Sequence, residues 1–491
     1  MASSSADSSR TGAERKRQNI RHRHDDDSWA SELRGDLLEE IFTRLPIKQC
    51  VQIGLVAKEF RYTWRKCRNL DFGREFVAAY SRHQLAYSDV VDHVFDSHNG
   101  RENLKTLRLC FDPMGAESLL EKWVRKSFEL GVEELDLDIF QAPVPFPTNV
   151  ENAKLKELRL NYAMIQLPFS LKAPMSLTTL VLREVDLNDR IVEAVFATCP
   201  QLETFDMSSC YGVRNMRVMA NENNMFKVLK VGGCPEISNI EIHARSLRRL
   251  YFNGAVKRMN IVEPMFLLNE ANLSFLPSTE YTSPWLVEKL VAAISVNVRV
   301  LTITSTFLEG LAAKMRQGSI RESQFCFSNL RELQIVMQDR SFTNAGDVAA
   351  FIKNCPRLEN LFIEMNGNTT ESAVYSDMLK KPTIDHYMSF LNALKFVKIR
   401  GFKVTNKQHE RLVKFILQRA RDLQRLVLLR PKKNYRSCRA VPYLAPSEEI
   451  SYTNILASWK LSLRAEIVLC DQMEDVYSHP QHATKWFYSR R

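Results

Sequence analysis

One hydrophobic pattern, L-x-x-L-x-L, recurs along the chain and constrains its fold more than any other feature. Five consecutive copies, from Leu155 to Leu247, begin about 21 to 25 residues apart. A pattern with this period is typical of an array in which one small unit stacks on the next. The clearest copies are NLKTLRL at Leu104, KLKELRL at Leu155, SLTTLVL at Leu177, QLETFDM at Leu202, MFKVLKV at Phe226, SLRRLYF at Leu247, NLRELQI at Leu330 and RLENLFI at Leu358.

Each copy predicts a short strand followed by an element of an outer layer. In the L-x-L part the side chains alternate, so the leucines point to one face of the strand. The stretch DLNDRIVEAVFATCP carries apolar residues at helical spacing, such as Ile191 and Val195. The pattern resembles leucine-rich repeats, which bury their apolar faces by stacking. We therefore expect an α/β solenoid, with a curved, concave parallel sheet and helices on the outer face.

Strand residues that point away from the leucines are predicted to line the concave surface. Both charge signs occur there together with aromatic residues, which suits a folded protein partner better than a phosphate backbone. The alternative is that many of these positions are simply solvated. The candidates for binding a target protein are Arg108, Asp136, Arg159, Arg183, Asp206, Lys230, Tyr251 and Phe362.

The charge and hydropathy of the chain argue against two classes of partner. The formal net charge is +11, but Lys and Arg are spread along all 491 residues, so no nucleic-acid partner is expected. No apolar run reaches the roughly 18 residues of a membrane span, so no membrane partner is expected. The first residues, MASSSADSSRTGAERKRQ, lack the apolar core of a secretion signal, which predicts a cytoplasmic and/or nuclear protein.

The sequence contains no motif that predicts catalysis. G-x-S-x-G, H-E-x-x-H, G-x-x-x-x-G-K-[ST] and G-x-G-x-x-G after a strand are all absent. The ten cysteines include no C-x-x-C, so neither a zinc site nor a disulfide framework is expected. We therefore expect a protein without an active site, a metal or a cofactor of its own.

The segment before the repeats has more apolar surface than it can bury. In LLEEIFTRLPIKQC, which begins at Leu37, the apolar residues cover a wide face of a helix. After Pro46 the apolar residues fall nearly all round a second helix. A segment of roughly 45 residues is too short to enclose such a helix by itself. The remaining apolar surface predicts contact with another protein.

This segment also carries a family resemblance. LRGDLLEEIFTRLPIKQCVQIGLVAKEFRYTWRKCRNLDF resembles an F-box of the plant type, the module that docks onto the Skp-type adaptor of a cullin–RING ubiquitin ligase. Arg34 replaces the first Pro of the family pattern, and Phe60 replaces a Trp. The matching positions are Leu33, Leu37, Leu38, Ile41, Leu45, Pro46, Val51, Leu55, Val56, Trp64, Leu70 and Phe72.

A second resemblance lies near the other end of the chain. LKFVKIRGFKVTNKQHERLVKFILQRARDLQRLVL, from Leu394 to Leu428, resembles the FBD region of plant F-box/leucine-rich-repeat proteins, with Arg421 in place of a Pro. Physically it reads as one more strand–helix–strand repeat. Farther on, the apolar stretch AEIVLC is able to extend the array, but the role of the tail is open.

The predicted organisation follows from these resemblances. A disordered arm is expected at 1–27, a three-helix F-box at 28–75 and a leucine-rich-repeat solenoid at 76–385. An FBD-like terminal repeat is expected at 386–435, followed by a tail at 436–491.

The resemblance implies a non-catalytic substrate receptor of a Skp–cullin–F-box type ubiquitin ligase. The F-box would dock the adaptor, and the repeat surface would capture a target protein. Two alternatives stay open, namely a repeat scaffold that works without a ligase and a small-molecule co-receptor. The residues implied in adaptor binding are Leu37, Leu38, Ile41, Leu45, Pro46, Val51, Leu55 and Val56.

Overall fold

The chain is described by a computed structural model that divides it into two compact units. The first unit comprises Met1–Ala163 and Ser170–Leu177, and the second comprises Met164–Phe169 and Thr178–Arg491. The predicted arm at 1–27, and with it Leu33 and Arg34, lies outside the described residues. The structure describes residues 35–56, 60–80, 87–98, 104–112, 117–140, 143–147, 154–165, 176–255, 258–276, 290–316, 326–337, 345–365, 390–431 and 446–482.

The first unit begins with helices and continues with a parallel sheet. Strands β1, β2, β3 and β5 pair in that order. Its helices are α1 Gly35–Arg44, α2 Ile47–Val56, the 3-10 helix Thr63–Lys66, α3 Arg74–Tyr80, α4 Tyr87–Ser97 and α5 Glu117–Glu129. Its strands are β1 Asn69–Phe72, β2 Thr106–Phe111, β3 Glu134–Ile139, β4 Val144–Pro145 and β5 Glu157–Asn161, and β6 Ala163–Met164 spans the division between the units.

The second unit contains most of the repeats. Its strands are β7 Thr179–Arg183, β8 Thr204–Ser208, β9 Asn215–Met219, β10 Val228–Gly232, β11 Asn239–His243, β12 Arg249–Gly254, β13 Arg258–Ile261, β14 Glu270–Phe275, β15 Val300–Thr304, β16 Glu332–Met337, β17 Asn360–Met365, β18 Phe396–Arg400, β19 Arg425–Leu429 and β20 Glu466–Cys470. Its helices are α6 Asp189–Thr198, α7 Ser305–Arg316, α8 Ala345–Ile352, α9 Lys407–Arg419, α10 Pro446–Ser458 and the 3-10 helix Gln472–Glu474.

The main sheet of this unit confirms the predicted repeat fold. Its order is β7-β8-β10-β12-β14-β15-β16-β17-β18-β19-β20, and the pairs are parallel. The strand leucines of the pattern are buried, as Leu180, Leu229, Leu333 and Leu361 show. Those leucines point toward the outer layer, and the residues between them point to what we call the inner face of the sheet.

The outer layer differs from the prediction in one part of the array. Helices such as α6 follow some strands, but after β8, β10 and β12 the outer elements are strands β9, β11 and β13. These three form a parallel sheet in the order β13-β11-β9. The reason lies in the local pattern, because NMRVM, NIEIH and RMNI alternate apolar and polar residues with a period of two.

The region that resembles an FBD folds as one strand–helix–strand unit, β18-α9-β19. Between β18 and α9, Gly401 has φ +80°, and a Cβ there would lie 2.3 Å from the Met365 carbonyl oxygen, so the turn requires glycine. The stretch AEIVLC, whose role the sequence left open, forms β20, which pairs with β19 in parallel.

Candidate protein-binding surfaces

The two N-terminal helices have a buried face that closes the helical module on itself. Phe42 of α1 and Ile47 and Cys50 of α2 are buried. Phe60 is also buried, and its ring lies 5.4 Å from that of Phe42. The aromatic residue that replaces the family's Trp therefore packs inside the module.

The same helices expose a second set of apolar side chains. Leu37 and Ile41 of α1 are 53% and 44% exposed, and Val51 and Leu55 of α2 are 41% and 82% exposed. Each pair is spaced i, i+4, so its two members lie on one helix face. Leu45 and Pro46 are half-buried, and the side chains of Leu38 and Val56 lie outside the described residues.

The module is joined directly to the first strand of the sheet. Pro46 forms a parallel bridge with Asn69 of β1, and the Asn69 side-chain amide donates to the Thr43 carbonyl at 2.9 Å. The Cys67 thiol donates to the Leu45 carbonyl at 3.0 Å. Helices α1 and α2 are thus held against β1 by backbone and buried side-chain contacts.

On the inner face of the first unit, the predicted residues form surface ion pairs. Arg108 Nη1 lies 3.2 Å from Asp71 Oδ2, and Arg108 Nε lies 3.1 Å from Asp136 Oδ2. Arg159 pairs with Glu157 at 2.9 Å. Pairs this exposed contribute little to stability, so they are available to a partner at small cost.

In the second unit, the inner face carries a row that we call the open row: Asp206, Lys230 and Tyr251, side by side on β8, β10 and β12. Lys230 Nζ lies 3.6 Å from Asp206 Oδ2 and 5.5 Å from the centre of the Tyr251 ring. The Tyr251 hydroxyl donates to Glu270 at 3.0 Å, and burial, with Glu270 beside it, raises the pKa of Tyr251 to about 12. All three are half-buried, and Arg183 at the end of β7 is exposed.

The same row continues across the next strands, but there it is buried. We call the residues in register from β14 to β18 the covered row: Asn272, Thr302, Gln334, Phe362 and Lys398. Phe362 was expected on an open concave surface, but it is only 5% exposed. The expectation of an accessible Phe362 is therefore corrected, although its place on the inner face is as the alternation predicts.

The cover is the stretch Asp471–His482, which we call the C-terminal segment. Lys398 Nζ lies 2.7 Å from Asp475 Oδ1 and donates to the carbonyls of Tyr477 and Ser478 at 3.3 and 3.1 Å. Both charged side chains of this pair are almost completely buried, at 4% and 6% exposure. Burial lowers the pKa of Lys398, and Asp475 opposes that shift by stabilising the ammonium.

Farther along, the segment reaches β16 and β15. The backbone N–H of Gln481 donates to Glu332 Oε1 at 2.7 Å. The Thr302 hydroxyl donates to Gln334 at 3.1 Å, which leaves its oxygen to accept from His482 Nδ1 at 2.7 Å. Because β17 lies between β18 and β16, the segment crosses the strand that carries Phe362.

His482 marks the boundary between the two rows. Its ring lies 5.2 Å from that of Tyr251. Burial lowers the pKa of His482 to about 4, against the opposing charge of Glu270. Burial also raises the pKa of Glu332, although the Gln481 amide works against that shift.

Sequence reasoning missed the residues that hold this segment. Lys398 occupies the same strand position as Lys230, and the two give the same signal in the L-x-L alternation. The flanking residues do not separate the two lysines either, because Lys398 lies in FVKI and Lys230 in the equally apolar VLKV. The acidic DQMED of the tail was the remaining hint in the sequence.

The cysteines and acidic residues define no further site among the described residues. No group of three or more His, Cys, Asp or Glu side chains there is placed to hold a metal ion. The described cysteines are unpaired thiols, and apart from Cys326 they are buried. None of the helices that the structure describes is both long and apolar enough to span a membrane.

Parallel strands in register, each built on L-x-x-L-x-L, define the class of this protein as a leucine-rich-repeat protein. A narrower assignment follows from comparison with known families. The model of the At1g61320/AtMIF1 leucine-rich-repeat domain matches residues 94–451, and the chain belongs to that family.

Relatives from Arabidopsis thaliana carry the names of all three parts. At1g61330 and At1g61320, both named as FBD-associated F-box proteins, are each 28% identical to this chain. The matches cover 82% and 81% of this chain and 90% and 88% of those proteins. The F-box/FBD/LRR-repeat protein At2g26030 is 24% identical over 81% of this chain and 91% of its own length.

Proposed function

We propose that this chain is the substrate-recognition subunit of a Skp–cullin–F-box type ubiquitin ligase. The α1–α2 module docks the Skp-type adaptor, and the inner face of the repeats captures a target protein. The chain itself performs no chemistry in this role. It raises the effective concentration of a target lysine near the conjugating enzyme, which makes the encounter effectively intramolecular.

One observation carries the adaptor half of the proposal. The module buries Phe42, Ile47 and Cys50 for its own core, yet leaves the two i, i+4 pairs on α1 and α2 exposed. Exposed apolar side chains grouped in this way are typical of a protein-binding surface. The relatives' names supply the kind of partner, because the F-box is the adaptor-binding module that this segment resembles.

The target half rests on the open row and its neighbours. Arg183, Asp206, Lys230 and Tyr251 offer both charges and an aromatic ring within one face. Mixed charge with aromatics is typical of surfaces that bind proteins.

A binding experiment with the purified chain tests the adaptor half. Leu55 is the most exposed of the four apolar residues, so Leu55→Ala should leave the fold intact. If Leu55 is an anchor, the change should weaken adaptor affinity by about 2 kcal/mol, or roughly thirtyfold. The measurement is a titration of the chain with a recombinant Skp-type adaptor.

A matched control is available in the second unit. Leu463 is 91% exposed, so Leu463→Ala removes the same side chain from a surface that we do not assign to the adaptor. Adaptor affinity should be unchanged in that variant. Failure of the wild-type chain to bind any Skp-type adaptor would favour a ligase-independent repeat scaffold instead.

A further inference from the structure

The C-terminal segment contacts the inner face as a bound peptide does. It lies across the strands, and among the described residues from Asp471 to His482 none belongs to a β-strand. Its polar contacts are separate points: Asp475 on Lys398 and Arg400, two carbonyls on Lys398, the Gln481 backbone amide on Glu332, and His482 on Thr302. Proteins that bind extended peptides commonly form hydrogen bonds to the peptide backbone and contact a few of its side chains.

The chemistry under the segment differs from that of a permanent cap. A layer that serves only to close a core is most stable when apolar, because a buried ion pair is seldom more stable than a well-packed apolar pair. Here the covered row presents an ammonium, a hydroxyl and two amides together with the ring of Phe362, and the carboxylate of Glu332 lies beside them. A buried charge is suited to selecting a partner that carries the opposite charge.

The segment has two large apolar side chains that are exposed. Met473 is 97% exposed and Val476 is 86% exposed. Tyr477 is the aromatic residue that the segment sets against the sheet, beside Val427, Leu429 and Cys470. The segment is therefore attached on a single side by polar contacts, by the Tyr477 ring and by the His482 ring beside Tyr251.

We propose that the covered row is a binding surface for an extended acidic peptide, and that the C-terminal segment occupies it as a tethered ligand. The partner is a segment of the target protein, so this inference rests on the proposed function. Its required features follow from the contacts: a carboxylate for the Lys398 ammonium, free carbonyls two and three residues later, and an amide for Glu332.

A competition experiment with the full-length chain tests the proposal. The probe is a fluorescein-labelled peptide with the sequence of residues 471–482, DQMEDVYSHPQH. Asp475→Asn weakens the tethered ligand and leaves Lys398 in place. This variant should bind the peptide at least ten times more tightly than the wild-type chain, whose own segment competes.

Two matched changes identify the contact. Glu121→Gln removes a carboxylate from the exposed pair with Arg125 on α5, and it should leave peptide affinity at the wild-type level. The double variant Asp475→Asn with Lys398→Met should lose the gain, as should a peptide in which Asn replaces the residue that matches Asp475. A folded Asp475→Asn variant that binds the peptide no better than wild type would overturn the proposal.

Hydrogen exchange of the wild-type chain decides the question if Asp475→Asn does not fold. A tethered ligand opens locally, so the hydrogen-bonded backbone amides of Tyr477 and Gln481 should exchange at least ten times faster than those of β17. Equal protection of the two regions would show that the segment is a fixed part of the fold. Adaptor binding by the same proteins is measured separately. Loss of adaptor binding would contradict the proposed function, whereas the peptide and exchange experiments test this inference.

Discussion

Two stretches of the same sheet, the open row and the covered row, differ in burial although they occupy equivalent strand positions. Each contains a lysine paired with an aspartate. Lys230 meets Asp206 from the next strand at 3.6 Å, and both side chains keep contact with water. Lys398 meets Asp475 from a distant segment at 2.7 Å, and both are buried.

The difference shows that strand position alone does not decide exposure in a repeat array. The repeat specifies which face a residue points to, because that depends only on local alternation. Whether that face meets water depends on a segment far away in the sequence. Lys230 and Lys398 occupy the same strand position, but the ion pair of Lys230 contributes little to stability, whereas breaking the buried pair of Lys398 is costly.

The largest expected loss of stability comes from substitutions in the core beneath each row, and it tests whether the two cores are equally well packed. Leu250 beneath the open row and Leu333 beneath the covered row are both buried. Leu250→Ala and Leu333→Ala should each lower the free energy of unfolding by about 2 to 5 kcal/mol, because each leaves a cavity. Chemical denaturation of both variants measures the free energy of unfolding. A small loss at only one of the two sites would mean that the two rows differ in the packing of the core beneath them as well as in their exposure.

The next largest effect separates the two lysines. Lys398→Met leaves the buried Asp475 carboxylate with the more distant Arg400 guanidinium, 3.6 Å away, as its cationic partner, which costs up to about 3 kcal/mol while the segment stays docked. The segment is able to avoid that cost by leaving the sheet, so hydrogen exchange at Tyr477 and Gln481 should accelerate first. Lys230→Met breaks a half-exposed pair and should cost less than about 1 kcal/mol. Equal effects of the two substitutions would remove the distinction between the rows.

Acid should loosen the covered row before the open row. Above pH 6.5, His482 is neutral both docked and undocked, and docking keeps its full strength. Between pH 6.5 and about 4, the undocked His482 binds a proton that the docked one excludes, so docking weakens as pH falls. The loss is at most about 3 kcal/mol.

The variant His482→Asn isolates this contribution. Two other groups also make stability depend on pH. Buried His409, whose pKa is lowered to about 4, lowers the free energy of global unfolding as pH falls. Glu332, whose pKa is raised, has the opposite effect. Hydrogen exchange of residues 475–482 at pH 7 and pH 5, corrected for intrinsic rates, should therefore differ more in the wild type than in His482→Asn. An equal pH response of the two proteins would contradict the assignment.

The smallest effect on stability is expected at the edge of the open row. Arg183 is exposed at the end of β7, so Arg183→Glu should change the free energy of unfolding by no more than about 0.5 kcal/mol. If the open row holds the target, the same reversal should weaken target binding and leave adaptor binding unchanged. Unfolding of this variant would mean that the inside–outside alternation has been assigned one residue out of register.

Much of the fold was predictable because its signals are local. L-x-x-L-x-L identified the strands and their buried leucines, whereas the role of the AEIVLC stretch, which forms β20, was left open. The strands of the outer layer were missed after β8, β10 and β12, although the alternation of NIEIH gave a usable signal. Four of the residues implied for adaptor binding, Leu37, Ile41, Val51 and Leu55, are exposed, and their role in docking stays a prediction.

The covered row was not predictable from these signals. Nothing in RLENLFI distinguishes Phe362 from the exposed positions of other repeats, because the segment that crosses its strand lies more than a hundred residues later. A one-sequence pattern carries no information about which surface a polar segment such as DVYSHPQH will cross. Prediction therefore failed at the contacts that are most distant in sequence.

That distance has a consequence for the order of folding. The Thr302–His482 contact joins residues 180 positions apart, and the Glu332–Gln481 contact joins residues 149 apart. Neighbouring strands close much shorter loops, so they form before contacts of such high sequence separation. Because chains fold from the N-terminus during synthesis, β14 to β18 exist before the ribosome has added the residues that cover them. Each newly made molecule therefore passes through a period in which the covered row is bare.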